Sequence, residues 1–304
     1  WANLARVYLK EGRNADALSA LEAATKAKEP APPWVVNWLS AQVDERNGLM
    51  DEAIAKYRDV LSTRIPKRNF DFSRDYEILN ALGRSLWGRY HQEAADSPDR
   101  PRLLQEAIDA YRRTLAVDSE NVDAHYGLGL AYSELARVLS PQEPQAKTTE
   151  AAKPATTPES LLKLATQAAD TTTSDSARIG AAQRLTRSVP AFVNAPRPEF
   201  GSRLQPLLDV DAALAGPCLE ARKSDLRAAL SKALGVTHST LHTLYRPDET
   251  AQGVAQKLAR AQNPAANQNA NSIVIHSLHR PGAPGIENQN PVAHIAPGTE
   301  EASR

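Results

Sequence analysis

Sulfur is nearly absent from this chain. Its one cysteine, Cys218, excludes an internal disulfide framework and any cysteine-based zinc cluster. Neither sign of charge dominates: 36 Lys and Arg balance 36 Asp and Glu, evenly spread. That argues against a dedicated nucleic-acid surface or a polybasic membrane surface. Aromatic residues make up only 5% of the chain, while alanine is abundant, which suits helices better than sheets. No apolar run approaches the ~20 residues of a membrane span. There is no glycine-rich phosphate loop, no nucleophile elbow and no carboxylate pair with a plausible partner. An enzyme is therefore not expected, nor a cofactor within this stretch. The 304 residues allow one to three domains.

What the chain does contain is a repeat. Trp1-x-x-Leu4-Ala5-x-x-Tyr8 is followed by Ala17-x-x-x-Leu21 and Pro30. Trp1, Leu4 and Tyr8 share one face of a first helix at spacings of three and four. Gly12 and Asn14 break the chain, and Ala17, Leu21 and Ala24 share one face of a second helix. Small Ala17 and Ala24 let the two helices pack closely, with Trp1 and Tyr8 filling the space between pairs. The repeat aromatics are expected in the core on this pattern. One such hairpin cannot bury its own apolar face, so it needs neighbours.

Three more copies follow. Asp51-Glu-Ala53-Ile-Ala-Lys-Tyr57 marks the second, with Ala53 lying 53 − 17 = 36 residues after Ala17. Its first helix, from Trp34 to about Arg46, carries Asp44 where the first copy has Tyr8. The third has Leu79-x-x-Leu82-Gly83-x-x-Leu86, then Ala107 and Tyr111. Ala53 to Ala107 is 107 − 53 = 54 residues, so about 20 are extra against the spacing of the first two copies. They fall in residues 64–73 and 89–102, and the first helix is expected to extend past Tyr90. The fourth opens with Asn121-Val-Asp-Ala-His125-Tyr-Gly-Leu128-Gly129-Leu-Ala-Tyr132. Gly129 is expected where the two helices of that repeat approach most closely.

Residues 140–157 read as a flexible Pro-, Thr- and Ala-rich insert. Thr157-Pro158-Glu159 is a good helix start, and residues 158–170 are expected to complete the fourth repeat. Further helices are expected over about 174–193, 202–214 and from Pro217 to Pro247, the last with a stripe of Leu226, Leu230, Ala233, Thr237, Leu241 and Leu244. They should pack as a small antiparallel bundle. Another helix is expected over about 249–261. The expected fold is all-α: a helical-hairpin solenoid over 1–139, the insert, a helical bundle over 158–262, and an extended or disordered tail over 263–304 with a short strand at 272–278.

The repeat resembles the tetratricopeptide repeat (TPR), with Ala5 where Gly is commoner and Leu21 where Phe is commoner. The likeness covers the first ~140 residues. It implies a scaffold whose first helices line a concave groove for a protein or peptide partner. Carried over by position, the groove residues are Asn3, Arg6, Lys10, Trp38, Gln42, Arg46, Asn80, Arg84 and Tyr126. Arg6, Arg46 and Arg84 come from three successive repeats and would favour an acidic partner segment. The pattern departs from the lysine-asparagine clamp of chaperone-binding TPRs. A second likeness lies in Leu244-Tyr245-Arg246-Pro247-Asp248-Glu249-Thr250-Ala251, Ile273-Val274-Ile275 and Leu278-His279-Arg280-Pro281-Gly282. These resemble the C-terminal end of bacterial proteins that join an N-terminal multihaem cytochrome c domain to TPRs. That likeness implies haem upstream, electron transfer, and a periplasmic or exported location; without it, a cytoplasmic one. The chain starts at Trp1, inside a helix, and is expected to be a fragment. It holds no Cys-x-x-Cys-His, so no haem attaches covalently within it.

Isolated candidates are weaker. His238 and His242 stand four apart on one expected helix, a metal-binding spacing, but the glutamate of a zincin helix is missing. A structural role is favoured for both, and for His276 and His279 beside the strand-like run. Cys218 follows Gly216-Pro217 at an expected helix start, which would lower its thiol pKa. No histidine is placed beside it as a base, so packing is favoured.

Overall fold

The computed structural model describes residues 1–65, 70–140, 154–194 and 201–246. Among them are eleven α-helices: α1 (Ala2–Lys10), α2 (Asn14–Lys26), α3 (Pro33–Arg46), α4 (Met50–Ser62), α5 (Tyr76–Gln92), α6 (Arg100–Leu115), α7 (Val122–Leu139), α8 (Pro158–Ala169), α9 (Asp175–Asn194), α10 (Gly201–Glu220) and α11 (Ser224–Tyr245). Between α4 and α5 lie a short antiparallel pair, β1 (Arg64–Ile65) with β2 (Phe70–Asp71), and a 3-10 turn, Phe72–Arg74. These take up part of the third repeat's extra length. All the helices belong to one compact unit, Trp1–Pro247. The helix expected at 249–261, the strand at 272–278, and His276 and His279 lie outside the described residues.

Local chemistry explains the helix ends. Gly12 and Gly48 adopt φ of +75° and +78° in the turns after α1 and α3, a conformation that glycine reaches without a Cβ penalty. They stand 48 − 12 = 36 residues apart, the repeat spacing itself. The Asp75 carboxylate caps α5 by accepting from the Glu77 and Ile78 N–H groups. Asn121 caps α7, and Thr157 with Ser160 forms a capping box on α8. Each satisfies backbone donors that the first helical turn leaves open.

α1/α2, α3/α4 and α5/α6 form successive hairpins, each leaning on the next through α2–α3, α4–α5 and α6–α7. The fourth hairpin corrects the expectation that residues 158–170 complete it. α7 packs along α11, while α8 lies against α9 and α10. The reason is backbone access. A Cβ on Gly129 would sit 2.6 Å from Ser239 Oγ, and one on Gly235 would sit 3.0 Å from the Ser133 nitrogen. The two glycines let α7 and α11 cross almost in backbone contact, and α8 has no glycine to offer. A second correction concerns α10, which runs to Glu220 with Pro217 inside it; the break before α11 falls at residues 221–223.

One apolar core runs through the later hairpins and α8–α11, with Tyr57, Tyr90, Tyr132 and Phe192 fully buried. A separate smaller cluster joins α1, α2 and α3 around Leu9, Leu21, Leu39 and Val43. Not every repeat aromatic is core. Trp1 is 64% exposed, because α1 has no described helix on its far side. Asp44, at its aromatic position, is buried with Lys56 Nζ 2.5 Å away, so an ion pair stands in for ring packing there.

Candidate partner-binding groove

α3, α5 and α7 are the first helices of three consecutive hairpins, and their common side encloses a cavity of about 730 Å³. Trp38, Gln42, Glu45 and Arg46 reach it from α3, and Met50 from the start of α4. Tyr76, Glu77, Asn80, Ala81 and Arg84 come from α5, with Asn121 and Asp123 at the start of α7. Trp38 and Gln42 are half-buried and Tyr76 is 43% exposed, so apolar surface remains open to a ligand. Asn80 is only 4% exposed. Its Nδ2 donates to Asn121 Oδ1 at 2.9 Å, and that oxygen also accepts from the Ala124 N–H. This pair ties α5 to α7 across the floor of the groove.

The groove's charges are partly spent on the protein itself. Arg84 Nε donates to Glu45 Oε1 at 3.1 Å. The Tyr57 hydroxyl donates to Glu45 Oε2 at 3.0 Å, and burial, with Glu45 second, pushes that phenol far up, so it stays a donor. Arg46 donates to the Leu9 carbonyl at the C-terminal end of α1, where the helix dipole favours a cation. Glu77 and Asp123, in the first turns of α5 and α7, have no ion pair or side-chain hydrogen bond among the described residues.

The structure thus gathers five of the nine residues expected in the groove: Trp38, Gln42, Arg46, Asn80 and Arg84. Asn3, Arg6 and Lys10 are exposed on α1 but do not line the cavity. Tyr126 is 54% exposed, with its ring centroid 5.1 Å from that of His242 on α11, and it is not among the residues lining the cavity. The expectation of three converging cations is corrected, because Arg6 is elsewhere and Arg84 is matched by Glu45. Sequence reasoning noted Glu45 only as an acid near the groove's basic residues, and missed Tyr76, Glu77 and Asp123. Glu77 and Asp123 were findable, since both follow a helix cap by two residues in the same register.

His238 and His242 do not converge. His238 is fully buried, its Nδ1 3.0 Å from His125 Nδ1. Its Nε2 lies 3.1 Å from Asp211 Oδ1, at ion-pair distance though not aligned as a hydrogen bond. His242 Nδ1 instead faces the Val122 carbonyl at 3.2 Å. Arg112 completes the buried network, donating to Asp211 at 2.8 Å and to the Tyr132 hydroxyl at 2.7 Å. Burial alone would raise the Asp211 carboxyl; His238 and Arg112 hold it well below the usual carboxylate range. Burial, then His238, lowers His125 to about 4. No group of three or more His, Cys, Asp or Glu among the described residues is placed to hold a metal. Cys218 is buried near the end of α10 rather than at a helix start. Burial pushes its thiol up, the reverse of the sequence expectation.

Residues 3–72 match the family model described as tetratricopeptide repeat, and residues 104–135 match one described as TPR repeat. Among solved structures, the chain is similar to a thermophilic TPR protein of Thermus thermophilus. The identity is 20%, the match covers 76% of this chain and 96% of that one, and the TM-score is 0.36. No curated protein matches the chain. Residues 247–251 and 273–282, which carry most of the likeness to multihaem proteins, lie outside the described residues. No described helix is long and apolar enough to cross a membrane.

Proposed function

We propose that this chain, a TPR protein with its repeats matched over residues 3–72 and 104–135, is a non-catalytic scaffold holding a partner protein or peptide in the groove of α3, α5 and α7. TPRs are in general interaction modules, and their stacked first helices form a concave surface suited to extended or helical segments. The observation that carries the reading is the meeting of Trp38, Gln42 and Arg46 with Asn80 and Arg84 around one cavity of about 730 Å³, despite their separation in sequence. Trp38 supplies a large, half-buried aromatic surface, the kind of group that anchors binding.

A panning experiment tests it. Random peptides displayed on phage are selected on the immobilised native chain, then measured against two variants. Trp38→Ala with Gln42→Ala alters the groove; Leu162→Ala with Lys163→Ala alters an exposed face of α8. The groove variant should lose about 2 kcal/mol of affinity, roughly thirtyfold, and the α8 variant should lose none. Selected peptides that hold the groove variant as well as the native chain would overturn the proposal.

A further inference from the structure

We infer that the groove selects a cationic partner segment, one that sets a lysine or arginine against Glu77 and Asp123 while laying a neighbouring apolar side chain on Trp38 and Tyr76. The inference rests on the groove being the binding surface proposed above, and it turns on which charges are still free. Five charged residues line the cavity: Glu45, Glu77, Asp123, Arg46 and Arg84. Glu45 and Arg84 satisfy one another, and Glu45 also takes the Tyr57 proton donor. Arg46 is turned onto the Leu9 carbonyl. That carbonyl does not neutralise it, so the unpaired lining charges among the described residues are Arg46 and the two exposed carboxylates, a balance of one negative charge.

Their position sharpens the point. Glu77 and Asp123 occupy corresponding first turns of α5 and α7. The end N–H groups there already have Asp75 and Asn121 as caps, so the carboxylates are not needed for capping. Both line the cavity that Trp38 and Tyr76 also reach, so a cation and an apolar group on one short segment can be satisfied together. An acidic segment would meet the same two carboxylates as like charges, which costs affinity and disfavours it as a partner.

The test uses three fluorescein-labelled peptides of one length on a Gly-Ser background. Each has a central Leu-Trp pair flanked on both sides by Lys, by Ser or by Glu. Binding to the native chain is read by anisotropy at low and high salt. The Lys peptide should bind about threefold to thirtyfold more tightly than the Ser peptide. The Glu peptide should bind most weakly, and the order should flatten as salt rises. Glu77→Gln with Asp123→Asn, isosteric changes at exposed positions, should erase the preference; losing two first-turn carboxylates should lower the thermal melt by a few degrees at most, leaving the variant folded. Equal binding of the three peptides, or a Lys preference that survives in the double variant, overturns the inference. If Trp38→Ala still releases those peptides, the groove stands as the binding surface. No binding by any of the three overturns both.

Discussion

Gly129 and Gly235 face one another where α7 crosses α11, and each has space for a hydrogen but not for a methyl group. Gly235 is the tighter site, because a Cβ there would press on the Ser133 nitrogen at 3.0 Å and the Gly129 carbonyl at 3.3 Å. Overpacking of this kind costs about 1–3 kcal/mol. Gly235→Ala and Gly129→Leu should each lower the melting temperature by several degrees, roughly 2–4 °C per kcal/mol at this size. Ser133→Ala, which adds nothing, should leave it unchanged. Equal melts for all three would mean the helices do not meet there. At the neighbouring buried network, His125 is held neutral with its pKa lowered to about 4. The unfolded chain takes up a proton near pH 6.5, so stability from this group falls as pH drops from about 6.5 to about 4, then levels off. The loss reaches up to roughly 3 kcal/mol. Asp211, depressed in the fold, adds a further loss at lower pH. Urea midpoints at pH 7 and pH 4.5 check this. A His125→Phe variant should show a flatter profile, and identical midpoints for the native chain at both pH values would rule out a neutral buried His125.

At the scale of elements, α1 and α2 are the least secured hairpin. Their cluster with α3 is separate from the main core, and α1 leaves Trp1, Leu4 and Val7 exposed. Arg46, bonded to the Leu9 carbonyl, and Asn14, bonded to Asn47 at 3.0 Å, are the polar ties that hold this hairpin to α3. Amide hydrogen exchange should therefore be fastest among the helices in α1 and slowest in α7 and α11. Arg46→Ala should speed exchange in α1 and leave α7 as it was. Protection in α1 equal to that in α7 would show that the two clusters fold as one.

For the whole molecule, the helices outside the repeats are part of the solenoid's closure. α11 covers α7, and Arg112 on α6 reaches Asp211 on α10 across 99 positions of sequence. A chain ending at Glu220 should lose the cover over Leu128 and Tyr132, expose apolar surface and bind the dye ANS. Its melt should be broad and start well below that of the full chain. A sharp melt at the full chain's temperature would mean that α11 is dispensable.

The four hairpin starts, the break at Gly12 and the cap at Thr157 were legible in the amino-acid sequence, because each depends on residues within a few positions of one another. The family likeness put nine residues in the groove, and the fold brings Trp38, Gln42, Arg46, Asn80 and Arg84 of them to one cavity but not Asn3, Arg6, Lys10 or Tyr126. What the sequence by itself could not decide was which helix closes the fourth hairpin and which charges in the groove remain free. α8 and α11 are both apolar-striped, and only packing shows that Gly235 fits against Gly129. Arg84 reads as a free cation until the fold brings Glu45, 39 residues away, within 3.1 Å of it. Contacts between distant positions depend on the path of the whole chain, and tertiary structure alone fixed that path.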